Sequence, residues 1–190
     1  VLEEYPEGTE EYFDAVNNPE DPDAGTRKVR FTGEVYIDGN DFMHDPPRRY
    51  YRLTKGATVR LKHAYIVTCT DVITDSEGRV VELRCTYDPE SQGGTNPNKL
   101  PAKGTIQWVC AQDAVKAEIR LYDHLFTKEN PDDAPEGQDF TANINPDSLE
   151  ILEDAYMEPA AAELEAGVVA QFMRIGYFCK DKDSTPEKLV

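Results

Sequence analysis

The sequence predicts a mostly β protein. Three observations carry that expectation. Short runs of β-branched and aromatic residues recur along the chain. Clusters of Gly, Pro, Asn and Asp punctuate them about once every dozen residues. Helical periodicity is scarce. Many short strands separated in this way fold as barrels or sandwiches.

Taken in order, residues 27–37 read as a strand that ends at the turn cluster Asp38-Gly39-Asn40. Residues 58–68 begin by alternating apolar with basic side chains, the pattern of a half-buried strand with a positive outer face. Residues 69–73 and 79–87 flank Asp75-Ser76-Glu77-Gly78 and predict a hairpin. Residues 90–103, rich in Ser, Gly, Asn, Pro and Lys, form a loop, and residues 104–109 and 117–122 are two further strands. A second loop at 128–139, rich in Pro, Asp and Gly, separates this β-rich middle from the segment 145–152. Residues 159–165 read as a short turn or helix, and 168–179 as one long late strand. No internal repeat is visible.

The 190 residues fit one large or two small domains and suffice for a sizeable core. No stretch of about 18 apolar residues is present to span a membrane. The start, Val1-Leu2-Glu3-Glu4-Tyr5, has neither the basic region nor the apolar run of a signal peptide, and without an initiator Met it reads as an excised or processed fragment. Cys69, Cys85, Cys110 and Cys179 form no C-x-x-C pair, and His44, His63 and His124 are scattered, so no metal site is expected. Each Cys sits in an apolar or strand-like context and reads as a buried free thiol, which fits a reducing cytoplasm.

The formal net charge of −17 is unevenly spread. Residues 46–128 hold 13 Lys/Arg against 9 Asp/Glu, a net of +4, while the remainder holds 7 against 28, a net of −21. The middle is suited to face phosphates and the flanks to be solvated. No phosphate-binding glycine loop, H-E-x-x-H or G-x-S-x-G motif occurs, so no catalytic residue is assigned. The abundant carboxylates read as a solvated acidic surface.

Several strings are more specific. Gly33-Glu34-Val35-Tyr36-Ile37-Asp38 is followed by Asp41-Phe42, then by Tyr50-Tyr51-Arg52-Leu53, Gly56 and Val59-Arg60-Leu61-Lys62-His63-Ala64-Tyr65. Cys85-Thr86-Tyr87-Asp88, Gly104-Thr105-Ile106-Gln107-Trp108-Val109 and Glu118-Ile119-Arg120-Leu121-Tyr122-Asp123-His124-Leu125-Phe126 continue the series. Ile144-Asn145-Pro146 and Gln171-Phe172-Met173-Arg174-Ile175-Gly176-Tyr177-Phe178-Cys179 complete it. In order and spacing this set resembles the C-terminal anticodon-binding region of glutaminyl-tRNA synthetases, class I aminoacyl-tRNA synthetases, across essentially the whole chain.

The resemblance implies two β-barrels, one inserted in the other: a distal barrel at 46–122 and a proximal barrel combining 1–45 with 123–190. It implies that the anticodon loop of tRNA(Gln) is splayed into separate pockets, where unpaired base edges can be read. By position Arg52 matches the reader of the third anticodon base, a guanine, and Arg60 a residue contacting the first base, with Lys62 beside it. Gln171 and Arg174 match residues around the middle base, a uracil. Arg49 joins the anticodon-binding set, although it stands where the family has Gln. Tyr51 replaces a family Lys and Met173 a Glu. Arg120 reads as a structural ion pair, and Trp108 and Tyr65 as core rather than stacking platforms. Further family contacts are expected before Val1 and after Val190.

The implied partners are the tRNA(Gln) anticodon loop and the catalytic domain of the same chain, in a cytoplasmic, monomeric protein without a membrane. No cofactor is implied for this region; ATP belongs to the catalytic domain of the intact glutamine–tRNA ligase. The HIGH-like and KMSKS-like ATP motifs are absent, so the region alone is expected to be inactive. Two alternatives share much of this reading: the anticodon-binding region of a related glutamyl-tRNA synthetase, and a general RNA-binding double barrel. The ending Gly176-Tyr177-Phe178-Cys179 favours the glutaminyl type.

Overall fold

The computed structural model describes residues 1–185 and 187–190. Among them it is mostly β, with twelve strands: β1 (Glu11–Val16), β2 (Thr26–Phe31), β3 (Val35–Tyr36), β4 (Thr58–Leu61), β5 (Ile66–Thr74), β6 (Val80–Asp88), β7 (Thr105–Ile106), β8 (Val109–Cys110), β9 (Val115–Tyr122), β10 (Leu149–Met157), β11 (Val169–Phe172) and β12 (Gly176–Cys179). One short helix, α1, spans Pro159–Ala162. No described helix is long and apolar enough to cross a membrane. The chain divides into two compact units, Val1–Ala114 with Glu158–Ala160, and Val115–Met157 with Ala161–Val190.

The first unit is organised around a four-stranded sheet in the order β6-β5-β4-β7, with β4 parallel to β7 and the other pairs antiparallel. The pairs β1–β2 and β3–β8 are antiparallel ribbons. Phe31 is fully buried and sits among the rings of Tyr5, Phe13, Tyr65 and Trp108, with centroids 5.0 to 5.6 Å away. Such aromatic pairs add about 0.5–1.5 kcal/mol each beyond the area they bury. Tyr5 and Tyr65 both donate their hydroxyls to the Glu11 carboxylate, so the polar ends of two core rings are satisfied by one acceptor. Burial first, and then the Glu11 contact, push both phenols well above their ordinary range. Trp108 donates Nε1–H to the Lys62 carbonyl at 2.8 Å. Trp108 and Tyr65 are thus core residues, as expected.

In this unit three expected strands are broken. Residues 27–37 divide into β2 and β3, because the chain steps aside at Gly33. The Gly33 carbonyl accepts from Leu2 N–H, and an added Cβ there would lie 3.2 Å from the Tyr5 ring. Residues 58–68 divide at a tight turn in which Leu61 N–H donates to Tyr65 O at 2.8 Å and His63 takes φ 66°. Residues 104–109 contain β7 and the start of β8. The hairpin β5–β6 forms around Asp75–Gly78 as expected: the Asp75 carboxylate accepts from the amides of Glu77 and Arg79, and Gly78 takes φ 80°.

In the second unit β9 pairs antiparallel with β10 across a bulge between Leu152 and Ala155. Residues 168–179 are a hairpin, β11–β12, rather than one strand. Ile175 N–H donates to Phe172 O at 2.9 Å, and Arg174 takes φ 68° in the turn. Arg120 binds Glu118 at 2.8 Å and also faces Asp181 and Asp183, while Lys188 reaches the second Glu118 oxygen at 2.7 Å. The expected ion pair is therefore a network that ties β9 to the segment after β12. Cys69, Cys85 and Cys110 are buried free thiols, but Cys179 is exposed on the outer face of β12, because alternation puts Phe178 inward.

Candidate nucleic-acid interface

Two segments of the first unit carry no carboxylate. Residues 46–70 hold Arg48, Arg49, Arg52, Lys55, Arg60 and Lys62, and residues 91–112 hold Lys99 and Lys103. The two segments meet through β4 and β7, where Arg60 N–H donates to Gly104 O at 2.9 Å. Gly104 is also pressed against the backbone ahead of Arg52: an added Cβ would stand 1.7 Å from the Tyr51 carbonyl oxygen. Only glycine permits that approach. The packing places Arg52 and Arg60 on backbones that share one contact residue.

Arg52 follows that contact. The residue after it, Leu53, is buried and pairs with Phe42 as an isolated parallel bridge, which fixes the backbone at Arg52. Its Nε lies 3.2 Å from Asp41 Oδ1 and one terminal nitrogen donates to the Asn40 carbonyl at 3.0 Å. Asp41 is only 3% exposed, so Arg52 supplies a counter-charge to a buried carboxylate. Tyr50 packs beside it, with its ring centroid 5.9 Å from the guanidinium carbon, and its hydroxyl donates to the same Asn40 carbonyl. Burial raises the Tyr50 phenol, an effect that Arg52 partly offsets. A guanidinium has five N–H donors, and the inward contacts use two.

Arg49 is exposed in the turn closed by Tyr50 N–H to Pro47 O, at φ 74°, a conformation uncommon for a non-glycine residue. Arg60 lies on the outer side of β4, since Val59 and Leu61 face the core. It is half-buried. Nη2 donates to the Thr95 carbonyl at 2.9 Å, and Nη1 is buried without a hydrogen-bond partner among the described residues, an arrangement that costs about 1–3 kcal/mol. Lys62 begins the turn after β4, and its amide donates to Ile106 O. Burial and then the nearby Arg27 lower the affinity of its amine for a proton, and Glu158 offsets part of this. Arg27 is itself ion-paired with Glu158.

Gln171 and Arg174 belong to the second unit. Gln171 is exposed on β11 directly across from Tyr177, itself 73% exposed, and Arg174 sits in the adjoining turn. The six expected residues thus fall four on one unit and two on the other. Sequence reasoning named Tyr51 only as a departure from the family and did not single out Asp41, the partner of Arg52, or the exposed Tyr177 across from Gln171. An adjacent Arg-Tyr pair signals nothing about which side chain turns outward, and no spacing rule links Asp41 to Arg52. Among the described residues no group of three or more His, Cys, Asp or Glu is placed to hold a metal ion.

Arginines held on a β-rich framework, two stretches of chain without carboxylates of their own and an exposed tyrosine next to Arg52 define a β-rich module with a basic region suited to a polyanion. Two family models described as "tRNA synthetases class I (E and Q), anti-codon binding domain" match residues 1–88 and 105–181, and the chain belongs to that family. It is 49% identical over 190 residues to a glutamine–tRNA ligase of Nitrobacter winogradskyi, covering all of this chain and 33% of that protein. It is 50% identical, with the same coverage, to one of Nitrobacter hamburgensis. It is 46% identical to one of Rhodopirellula baltica, covering 31% of that protein. The chain spans about a third of the length of the curated relatives it matches.

Proposed function

We propose that this chain reads the anticodon loop of a glutamine-accepting tRNA, as the anticodon-binding part of a cytoplasmic glutamine–tRNA ligase. The ATP-dependent ligation would be carried out by a catalytic domain outside these residues. The observation that carries the reading is the pair of basic segments 46–70 and 91–112, without a carboxylate of their own and joined through β4 and β7, in a chain of net charge −17, with Arg52 anchored inward by Asp41. A guanidinium held from behind is pre-organised, so little rotamer entropy remains to be lost when its outer edge meets a base.

In this reading Arg52 pairs with the third anticodon base, a guanine, through the O6/N7 edge. Arg60 contacts the first base with Lys62 beside it, Arg49 contributes from its turn, and Gln171 and Arg174 serve the middle uracil. A primary amide offers both an NH2 donor group and a carbonyl acceptor, which match the imide edge of uracil. The names of the relatives support glutamine over glutamate as the amino acid.

The test is binding of the full-length protein to anticodon stem-loops of glutamine and glutamate tRNAs and to an unrelated loop of equal length. The expected order is glutamine above glutamate above unrelated. Equal binding to all three refutes sequence reading. Preference for the glutamate loop assigns the chain to the glutamyl type.

A further inference from the structure

Tyr51 stands where the family resemblance has Lys, and its ring is 52% exposed beside the surface just described. Three features distinguish it from an incidental surface tyrosine. Its backbone is held by the closest glycine contact in the chain, because Gly104 leaves no space at the Tyr51 carbonyl. The ring therefore springs from a fixed point. Lys103, the neighbour of that glycine, brings its ammonium to 5.9 Å from the ring centroid, so a positive charge accompanies the ring. The next residue is Arg52, whose guanidinium is anchored by Asp41. Tyr50, the preceding residue, turns its hydroxyl to the Asn40 carbonyl, so the two tyrosines are used differently.

A half-open aromatic face paired with an ammonium, on chain segments that carry only basic charges, is the combination that takes an unpaired nucleotide: the ring stacks on the base and the cation meets the phosphate. We propose that Tyr51 and Lys103 form a stacking platform for the nucleotide next to the base that Arg52 reads. This rests on the reading of the chain as an anticodon-loop binder and adds two residues to it. A Tyr in place of a Lys at position 51 gives up a cation and offers a ring on which a base can stack. Lys103, in the segment just before β7, brings a positive charge to the same place. The platform is indifferent to base identity, because every base offers a π-face, so it contributes affinity and alignment while Arg52 supplies the choice of base.

The experiment uses the full-length protein, Tyr51→Phe, Tyr51→Leu and Lys103→Gln, with the glutamine anticodon stem-loop and a series carrying one abasic nucleotide at each loop position. Tyr51→Phe should bind within about twofold of the parent. Tyr51→Leu, which keeps apolar bulk without the ring, should bind ~5- to 150-fold more weakly. One abasic position should erase the difference between parent and Tyr51→Leu, and that position should adjoin the one whose identity ceases to matter in Arg52→Lys. Lys103→Gln should lessen the salt dependence by the share of one phosphate contact. Melting temperatures should be unchanged, since both side chains are open to water. The platform is overturned if Tyr51→Leu matches the parent, or if its loss persists at every abasic loop. If the parent does not prefer the anticodon loop over an unrelated loop while Tyr51→Leu still loses affinity for both, the platform stands as a general single-strand contact and the anticodon reading fails.

Discussion

Replacing Arg52 by Lys separates the two demands placed on that side chain. Inward, Nε faces Asp41 at 3.2 Å and a terminal nitrogen donates to the Asn40 carbonyl at 3.0 Å. Outward, the remaining donors are proposed to meet guanine. An ammonium concentrates its donors at one point and cannot span both directions. The magnitudes decide which contact survives. Taking the Arg52 counter-charge away from a buried carboxylate such as Asp41, 3% exposed, costs up to about 3–5 kcal/mol, toward the low end here because the Arg52 side chain is about a third open to water. One bidentate base contact is worth about 1–3 kcal/mol. The lysine therefore turns inward and the base contact is lost. Urea denaturation should show a modest penalty of about 1–1.5 kcal/mol for the carbonyl contact that Lys gives up. Fluorescence anisotropy of the full-length protein, with stem-loops carrying each of the four bases at the third anticodon position, should show ~5- to 150-fold weaker binding of the guanine loop and little change for the others. Uniform weakening across all four loops would make Arg52 a phosphate contact. A stability loss above about 3 kcal/mol with guanine preference intact would make it a purely structural arginine.

Other outcomes follow from the packing. Gly104→Ala puts a methyl 1.7 Å from a backbone oxygen that no rotamer change can move, so the unit should lose at least the ~1–3 kcal/mol typical of overpacking, read as a lower urea midpoint. Glu118 is held below the usual carboxylate range, first by Lys188 and then by Arg120. Its contribution to stability is full above the unfolded-state value near 4.3 and is lost as pH falls through the depressed folded value; Glu118→Gln should therefore lower stability at neutral pH and lose less than the parent on acidification, and parallel pH profiles would contradict the network. Alkylation of the native protein should label Cys179 rapidly and Cys69, Cys85 and Cys110 only on unfolding, a difference that peptide mass spectrometry resolves.

Local chemistry made part of this fold legible. The Asp75–Gly78 turn carries its own signature, an Asx acceptor and a glycine at positive φ, so the β5–β6 hairpin could be placed from the sequence. The burial of Trp108 and Tyr65 followed from apolar neighbours on strand patterns. The breaks within 58–68 and 168–179 were illegible because their positive-φ positions are His63 and Arg174, not Gly or Asn. Neither side chain announces a left-handed backbone, and the flanking apolar runs hide the reversal. Strand β1, Glu11–Val16, went unread because its outward positions, Tyr12, Asp14 and Val16, mix apolar with acidic side chains and its register comes from pairing with β2, a tertiary cause. Cys179 was misplaced for the same reason: its face depends on where the hairpin turns. The arginines of the candidate site were visible through family resemblance, while the buried carboxylate behind Arg52 was not, since eleven positions of chain separate Asp41 from Arg52 and only the packing brings them together.

The uneven charge of the chain also bears on how quickly an RNA would arrive. Residues 46–70 and 91–112 together carry +8, and the rest of the chain holds 12 Lys/Arg against 37 Asp/Glu, a net of −25. At about 0.01 M salt the screening length is near 30 Å, so an approaching polyanion feels the whole negative chain and is repelled; at about 0.1 M it is near 10 Å, and only the nearest charges matter. Encounter with this chain should thus quicken as salt first rises, even while the bound complex weakens through lost phosphate contacts. Such a chain would turn away duplexes and unstructured RNA at a distance and reward only a partner whose shape delivers a few exposed bases to one small positive spot.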